Sequence, residues 1–253
     1  MDKFSIITVT YNSATTIEAT IKSVLGQSCP NVEYIIIDGG STDGTLEVVD
    51  KYRSKISKVI SEKDSGIYNA INKGIRLATG DIIGILNSDD LYASYDVLKK
   101  ITEIMNKTGV DVCWGDLVCV GKNNPDRIKR YWRSSEYKEG KFRRGWMPPH
   151  PTFFVRREVY KKYGLFNTDF KIAADYELML RFLEKNKVRS YYIPETLVKM
   201  RVGGKTGKSI FNIFNIIRYK WEDYYAWKVN GLKINTTIIF WKSFSKIPQL
   251  FSK

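Results

Sequence analysis

Short apolar runs alternate with segments of helical periodicity over the first 114 residues, and this alternation strongly limits the folds available to the chain. Residues 4–10, FSIITVT, are apolar and β-branched, as expected of a strand that is buried on both faces. Similar runs predict strands at 32–38, 56–61, 82–86 and 110–114, with helices between them at 17–25, 45–51, 67–78 and 95–107. Strands joined by helices of this length predict βαβ crossovers. We therefore expect an α/β fold with a mostly parallel sheet flanked by helices.

Polar residues follow the predicted strands at the points where ligands of such sheets bind, outside the carboxyl ends of the strands. These residues are Thr10, Tyr11 and Asn12 after the first strand, Asp38 after the second, Asp64 after the third, and Ser88, Asp89 and Asp90 after the fourth. Neither GxGxxG nor GxxxxGK[ST] occurs in the chain, so a dinucleotide fingerprint and a P-loop are excluded. Any bound phosphate must then be held by a metal ion and by basic side chains.

The charge of the chain is uneven along its length. Residues 1–100 hold 11 Lys and Arg against 13 Asp and Glu, a balance of −2, and residues 101–253 hold 30 against 14, a balance of +16. A basic region of this kind attracts nucleic acid, anionic lipid or a phosphorylated small molecule, or serves only solubility.

Three cysteines without a CxxC pair favour a reducing compartment. No signal segment precedes the first strand and no apolar run reaches the roughly 18 residues of a membrane span, so we expect a cytoplasmic protein.

Three candidate chemical sites stand out, each with a plain structural alternative. Adjacent carboxylates at Asp89 and Asp90 favour a hard cation such as Mg²⁺ or Mn²⁺, although either residue could instead cap the next helix. Asp175 precedes an amphipathic helix and is either a helix cap or a general base. The only histidine, His150, lies between two prolines and is either an acceptor contact or a packed loop residue.

Residues 1–205 resemble the GT-A (Rossmann-like) nucleotide-diphospho-sugar domain of the family 2 inverting glycosyltransferases. The resemblance rests on SIITVTYNSATTIEATIKSVLGQS, VEYIIIDGGSTDGT, KDSGIYNAINKGIRLATGDIIGILNSDD and HPTFFVRREVYKKYGLFNTDFKIAADYELMLR. It implies a nucleotide-sugar binding half at 1–115, an acceptor half at 116–205 and, beyond them, a basic helical tail at 206–253. It also implies transfer of a sugar to a saccharide or lipid-linked acceptor during bacterial-type surface polysaccharide assembly (exopolysaccharide, capsule or lipopolysaccharide).

The resemblance also implies a role for each site residue. Asp90 would bind Mg²⁺ or Mn²⁺, and Asp175 would be the catalytic base. The expected contacts of the nucleotide-sugar donor are Thr10, Tyr11, Asn12, Asp38, Asp64, Asn69, Lys73, Ser88 and Asp89. Two positions depart from the family pattern: Ala174 replaces a common Glu, and Gly39 replaces a second aspartate that reads the base, which leaves guanosine and thymidine donors open beside uridine.

The rest of the chain leaves several alternatives open. Residues 115–150 are polar, basic and rich in Gly and Pro, and predict a loop-rich excursion. The tail carries Ile210, Phe214, Ile217, Trp221 and Tyr225 on one helical stripe. That stripe predicts either packing on the domain or peripheral association with an anionic membrane at the inner face of the plasma membrane. A sugar-phosphate nucleotidyltransferase and a basic nucleic-acid-binding protein are the competing classes, but no nucleic-acid motif is present and no nucleic-acid partner is expected.

Overall fold

The computed structural model describes residues 2–202 and 213–233. The strands are β1 (Phe4–Thr10), β2 (Val32–Asp38), β3 (Lys58–Ser61), β4 (Ile82–Ile85), β5 (Leu91–Tyr92), β6 (Val112–Val120), β7 (Ile128–Trp132), β8 (Phe154–Arg156) and β9 (Ser190–Arg201). The helices are α1 (Ile17–Leu25), α2 (Thr45–Asp50), α3 (Ile67–Leu77), α4 (Val97–Thr108), α5 (Arg157–Tyr163), α6 (Ala174–Met179) and α7 (Ile213–Val229). A π-helical segment, Leu180–Lys185, continues α6.

One nine-stranded sheet has the order β3-β2-β1-β4-β8-β6-β9-β5, with β7 paired to β6. The strands β3, β2, β1 and β4 are parallel. β8 is antiparallel to both β4 and β6, whereas β9 is parallel to β6. The α/β fold class predicted from the sequence is confirmed, and the second half of the sheet is mixed rather than parallel.

Successive side chains of β1 enter the cores on the two faces of the sheet. Phe4 and Ile6 pack with apolar residues of α1 and α4, and Ile7 and Val9 pack with those of α3 and α6. This alternation follows from the two-residue period of a strand covered on both faces. α3 lies so close to β1 that a Cβ atom on Gly74 would stand 2.5 Å from Cγ2 of Ile7.

The predicted loop region 115–150 is partly wrong, because it contains regular structure. β6 continues to Val120 and turns back through β7, and residues 117–120 are buried. Gly115 and Asp116 interrupt the apolar run, which explains why the sequence pattern ends the strand early. The twelve-residue β9 was not predicted either, because its residues alternate irregularly between buried and exposed.

The described part of the tail packs on the second half of the domain through α7. Ala226 and Trp227 are fully buried. The indole Nε1 of Trp227 donates a hydrogen bond to the Tyr176 hydroxyl at 2.9 Å, and Nδ2 of Asn230 donates to Oε1 of Glu177 at 3.0 Å. Both hydrogen bonds reach α6, so the tail helix supports the helix whose first turn contains Asp175. Ile210, the Phe214 side chain and residues 234–253 lie outside the described part of the chain.

None of the helices within residues 2–202 and 213–233 has both the length and the apolar character that a membrane span requires.

Candidate functional site

A cleft of about 790 Å³ opens where the predicted polar residues leave the sheet. Its lining includes six of the predicted site residues, namely Thr10, Tyr11, Asn12, Asp64, Ser88 and Asp89. Parallel pairing places Thr10 of β1 opposite Asp38 of β2, and β4 pairs with the other side of β1. The carboxyl ends of these strands therefore meet at one edge, which is why residues far apart in sequence share one cleft.

The end of β1 is fixed to the loop that follows β2. Asn12 has a positive φ of 50°, and its Oδ1 accepts a hydrogen bond from the Thr42 amide at 2.9 Å. The Asn12 amide in turn donates to the Ser41 hydroxyl at 2.8 Å. Asparagine tolerates this left-handed conformation better than most residues. These contacts hold Asn12 against the wall of the cleft.

Asp38 is predicted to contact the ligand, but its side chain lies behind the surface of the cleft. Its side chain is fully buried and accepts hydrogen bonds from the amides of Gly40 and Ser41, at 3.1 and 3.0 Å, and from the Ser61 hydroxyl at 2.7 Å. The Ser41 hydroxyl donates a further bond to it. Asp38 therefore shapes the loop that lines the cleft and is not among the lining residues.

Asn69 and Lys73 lie in a second, smaller cleft of about 480 Å³ that shares Lys63 and Asp64 with the first. The Lys73 ammonium lies 2.7 Å from Oδ1 of Asp64 and 2.5 Å from Oε1 of Glu62. These two carboxylates raise the pKa of Lys73, although its burial acts in the opposite direction. Lys73 is thus a charged partner that holds one oxygen of Asp64 in place.

The two adjacent carboxylates after β4 differ in their exposure. Asp89 lines the cleft, whereas Asp90 does not and is 1% exposed. Asp90 accepts hydrogen bonds from the Arg201 amide and from Nδ2 of Asn87, both at 3.3 Å. Burial raises the pKa of Asp89, and burial together with the Asp89 charge raises the pKa of Asp90 well above its usual range. Of these two carboxylates, that of Asp89 is the one that faces the cleft.

Asp175 stands in the first turn of α6 and contacts the predicted acceptor residue. Nδ1 of His150 lies 3.4 Å from Oδ2 of Asp175. Charge on the same imidazole lowers the pKa of Asp89, opposing the larger effect of burial. Neither His150 nor Asp175 lines the 790 Å³ cleft, but His150 lies within electrostatic range of carboxylates on both sides. His150 therefore contacts Asp175 directly and acts on Asp89 through its charge.

Arg201 is a site residue that the sequence reasoning missed. It ends β9, lines the cleft, and donates from Nη1 to the Asp89 carbonyl at 3.0 Å. Its guanidinium charge lowers the pKa of both Asp89 and Asp90 against the effect of burial. Arg201 is 112 residues from Asp89 in sequence, so no local motif relates them, and the pairing of β9 with both β5 and β6 brings the arginine to the site.

The cleft holds buried polar atoms that have no partner within the protein. Six side-chain atoms of this kind occur in the described residues, and three belong to cleft residues: Thr10 Oγ1, Asp64 Oδ2 and Arg201 Nε. Buried polar groups normally have hydrogen-bond partners. Their concentration in this cleft, beside the cations Lys63, Lys122 and Arg201, suits a polar and anionic ligand.

The oxygen atoms that line the cleft also suit a divalent cation that takes only one or two of its ligands from the protein. Among the described residues, no cluster of three or more His, Cys, Asp or Glu side chains is arranged to hold a metal ion. Mg²⁺ commonly takes only one or two protein carboxylates and completes its shell with substrate phosphates and water. Asp89, with the oxygens of Asn87 and Ser88 in the same lining, satisfies that requirement.

The mixed α/β sheet, with its polar cleft at the strand ends, has the GT-A fold of solved glycosyltransferase structures. Staphylococcus aureus TarS 1–349, solved with UDP-GlcNAc, superposes with a TM-score of 0.69 at 21% identity, over 87% of this chain and 65% of that chain. This chain thus spans less than two thirds of the TarS chain. The mannosyltransferase PcManGT from Pyrobaculum calidifontis, solved with GDP-Man and Mn²⁺, gives a TM-score of 0.68 at 19% identity, over 98% of this chain and 71% of that chain.

Sequence comparison assigns the family. Residues 5–164 match the model of glycosyl transferase family 2, and the protein belongs to that family. A PGL/p-HBAD biosynthesis glycosyltransferase of Mycobacterium bovis BCG is 28% identical over 182 residues, which are 70% of this chain and 68% of the relative. An uncharacterized glycosyltransferase of Mycobacterium tuberculosis H37Rv is 32% identical over 180 residues, which are 70% of this chain and 67% of the relative. The family predicted from the sequence is confirmed.

Proposed function

We propose that this glycosyltransferase moves a sugar from a nucleotide-diphospho-sugar to an acceptor hydroxyl by a single displacement with inversion. The observation that carries the proposal is the 3.4 Å contact of His150 with Asp175, because His150 also lies within electrostatic range of Asp89 at the edge of the donor cleft. Family membership favours this reaction over nucleotidyl transfer and over nucleic-acid binding.

Asp175 is the base in this proposal. It accepts the proton of the acceptor hydroxyl while the hydroxyl oxygen bonds to the anomeric carbon, and the bond from that carbon to the diphosphate oxygen breaks. The attack comes from the face opposite the leaving group, so the configuration inverts. His150 holds the Asp175 carboxylate from one side, and its 39% exposed side chain also suits contact with the acceptor.

Asp89 is our preferred residue for a divalent cation, in place of Asp90. Its exposure to the cleft supports this choice, and the burial of Asp90 behind it gives Asp90 the role of fixing the Arg201 backbone. A cation there supplies charge neutralisation on the departing nucleoside diphosphate. The neighbour solved with Mn²⁺ is consistent with a divalent ion of this type.

The remaining cleft residues bind the donor in this proposal. Thr10, Tyr11, Asn12 and Asp64 surround the nucleoside, and the orphan oxygens of Thr10 and Asp64 are available to its polar groups. Ser88 is held by the Ser13 hydroxyl at 2.9 Å, on the side of Asp89. Asp38, Asn69 and Lys73 support this wall from behind. Arg201 faces the diphosphate, where its unpaired Nε is a donor for a phosphate oxygen.

The acceptor half, 116–205, and the tail, 206–253, give the proposed location. We propose a cytoplasmic protein that associates peripherally with the inner face of the plasma membrane, where a lipid-linked saccharide of surface polysaccharide assembly is the acceptor. The support is an outward stripe on α7, the α7 stripe, formed by Ile217, Trp221, Tyr224 and Lys228. Ile217 is 61% and Trp221 56% exposed, whereas both acidic residues of α7, Glu222 and Asp223, are buried. Aromatic and basic side chains in this arrangement suit an anionic bilayer surface.

The test is a screen of UDP-, GDP- and dTDP-sugars for release of nucleoside diphosphate with and without Mn²⁺, followed by NMR of the anomeric product. One donor class should be consumed, and the anomeric configuration of the product should be opposite to that of the donor. A product with retained configuration would refute the single displacement, and absence of turnover with every nucleotide-sugar would refute the donor class.

A further inference from the structure

The segment that leads into Asp175 is held by a buried carboxylate from the tail helix. Glu222 of α7 is 1% exposed. Its carboxylate accepts hydrogen bonds from three consecutive backbone amides, those of Lys171 at 3.0 Å, Ile172 at 2.9 Å and Ala173 at 2.8 Å. Hydrogen bonds to a charged acceptor are the strong ones, and burial of a carboxylate is tolerated only when such bonds satisfy it. Glu222 therefore fixes the backbone two to four residues before Asp175.

The same segment is held from the opposite side by the donor half. The Tyr68 hydroxyl donates a 2.6 Å hydrogen bond to the Ile172 carbonyl. Tyr68 belongs to the first turn of α3, and its neighbours Gly66 and Ile67 line the donor cleft. Ile172 is thus bonded through its carbonyl to α3 and through its amide to α7. We call Tyr68 and Glu222 the Ile172 clamp.

Tyr68 lies within electrostatic range of both Asp175 and Glu222. Burial raises the pKa of Tyr68 well above its ordinary value, and the charges of Asp175 and Glu222 raise it further. The phenol therefore stays protonated and remains a donor at neutral pH. Because Tyr68 is within electrostatic range of Asp175, a displacement of the Tyr68 side chain changes the electrostatic environment of the Asp175 carboxylate.

We propose that the Ile172 clamp positions the catalytic base, with Glu222 and Tyr68 acting through the backbone before Asp175 and touching no substrate. This inference rests on the proposed role of Asp175. Asp175 lies in the first turn of α6, and no side-chain cap from its own segment holds that turn. The clamp supplies that restraint from two elements outside the helix. It also makes α7, which carries no family motif, a necessary part of the active centre.

The experiment uses the full chain with Tyr68→Phe and Glu222→Gln, each made in the native background and in an Asp175→Asn background. Asn230→Ala is the matched control, because Asn230 also joins α7 to α6 but contacts Glu177, which lies after Asp175. In Glu222→Gln, the side-chain amide presents an N–H group toward the backbone N–H donors of residues 171–173. In Tyr68→Phe, the Ile172 carbonyl loses its hydrogen-bond donor. Melting temperature and circular dichroism establish that each variant is folded.

In the native background we expect kcat to fall about ten- to a hundredfold in both clamp variants, with KM for the donor nearly unchanged, since a small misplacement of a catalytic group has this cost. Asn230→Ala should lower the melting temperature and leave kcat within about twofold. In the Asp175→Asn background the clamp variants should cause no further loss.

Two results would overturn the clamp. One is a folded Glu222→Gln and a folded Tyr68→Phe that both keep native kcat, and the other is an equal fold-loss in both backgrounds. Failure of the proposed function looks different, because Asp175→Asn would then keep the native rate by itself. The two failures are therefore separable in one set of measurements.

Discussion

Nδ1 of His150 lies 3.4 Å from Oδ2 of Asp175, and this contact joins the loop before β8 to the first turn of α6. The same imidazole acts electrostatically on Asp89, after β4. One histidine therefore contacts Asp175 and lies within electrostatic range of Asp89, although 86 residues separate the two carboxylates in sequence. Pro149 and Pro151 flank His150 and restrict the backbone on both sides of it.

Asp175→Asn should lower kcat by about 10²- to 10⁴-fold, because an amide cannot take the proton from the hydroxyl group of the acceptor substrate. His150→Gln should cost less, about tenfold, because it weakens a contact that orients the base. Steady-state turnover with a true acceptor measures both. Donor affinity, measured by calorimetry with the nucleoside diphosphate, is the control and should stay within about twofold. A larger loss for His150→Gln than for Asp175→Asn would contradict these roles.

Asp89→Asn should raise the concentration of Mn²⁺ needed for half-maximal activity by more than about tenfold, since it removes the carboxylate that faces the cleft. Asp90→Asn should change that concentration less and should mainly lower thermal stability, because its carboxylate is buried against Arg201 and Asn87. Metal titration after chelation with EDTA compares the two. If Asp90→Asn has the larger effect on the metal response, the original assignment from the family resemblance is the better one.

The first half of the fold follows from its sequence because each strand there is a local pattern. Buried parallel strands read as continuous apolar runs, and β1 and β2 end where the pattern ends them, at Thr10 and Asp38. The polar strand ends then identify most of the cleft. Their grouping needs only the rule that parallel strands present their carboxyl ends at the same edge.

The second half was less predictable because its contacts are distant and its patterns are mixed. β9 pairs on one side with β6 and on the other with β5, so its burial follows no single period. Arg201 reaches the site through the pairing of β9, and Glu222 reaches the segment before Asp175 through the packing of α7. Neither residue belongs to a local sequence motif that would predict its position. Asp89 and Asp90 are adjacent in sequence, and only their different burial separates the roles that we propose for them.

Arg201→Gln should weaken inhibition by nucleoside diphosphate and lower kcat/KM for the donor about ten- to a hundredfold, since a hydrogen bond to a charged group contributes about 1.5–3 kcal/mol. Arg76→Gln is the matched control, because Arg76 lines only the neighbouring cleft. Product-inhibition constants for the two variants decide the matter. Equal inhibition constants in Arg201→Gln and the native protein would remove Arg201 from the diphosphate site.

Glu33→Gln should lower the free energy of unfolding at pH 7 by about 1–3 kcal/mol, because it leaves buried donors without a charged acceptor. Glu33 accepts from the Ser5 hydroxyl at 2.5 Å and from the Thr79 amide at 2.8 Å, and Lys58 lies 3.4 Å away. Burial alone would raise the pKa of Glu33, but these partners outweigh it and lower the pKa to about 2.

A pKa lowered on folding stabilises the protein above the unfolded-state value near 4.5, and this contribution is lost as the pH falls toward about 2. The difference in unfolding free energy between native protein and Glu33→Gln should therefore shrink between pH 5 and about pH 2. Urea unfolding at several pH values measures that difference. A difference that stays constant across this range would show that the Glu33 charge does not contribute.

Trp221→Ser and Tyr224→Ser should each weaken binding of the full chain to phosphatidylglycerol-containing vesicles about tenfold or more, since both remove aromatic area from the α7 stripe. Tyr95→Ser is the matched control, because Tyr95 is also a highly exposed aromatic residue but lies just before α4, on a part of the surface remote in sequence from α7. Binding to phosphatidylcholine vesicles should be weak for every variant, because Lys228 of the α7 stripe requires anionic headgroups for a charge-dependent gain. Vesicle co-sedimentation at low and at high salt provides both comparisons. If all three variants sediment like the native protein, α7 is not the membrane-facing surface, and its exposed aromatic residues require another partner.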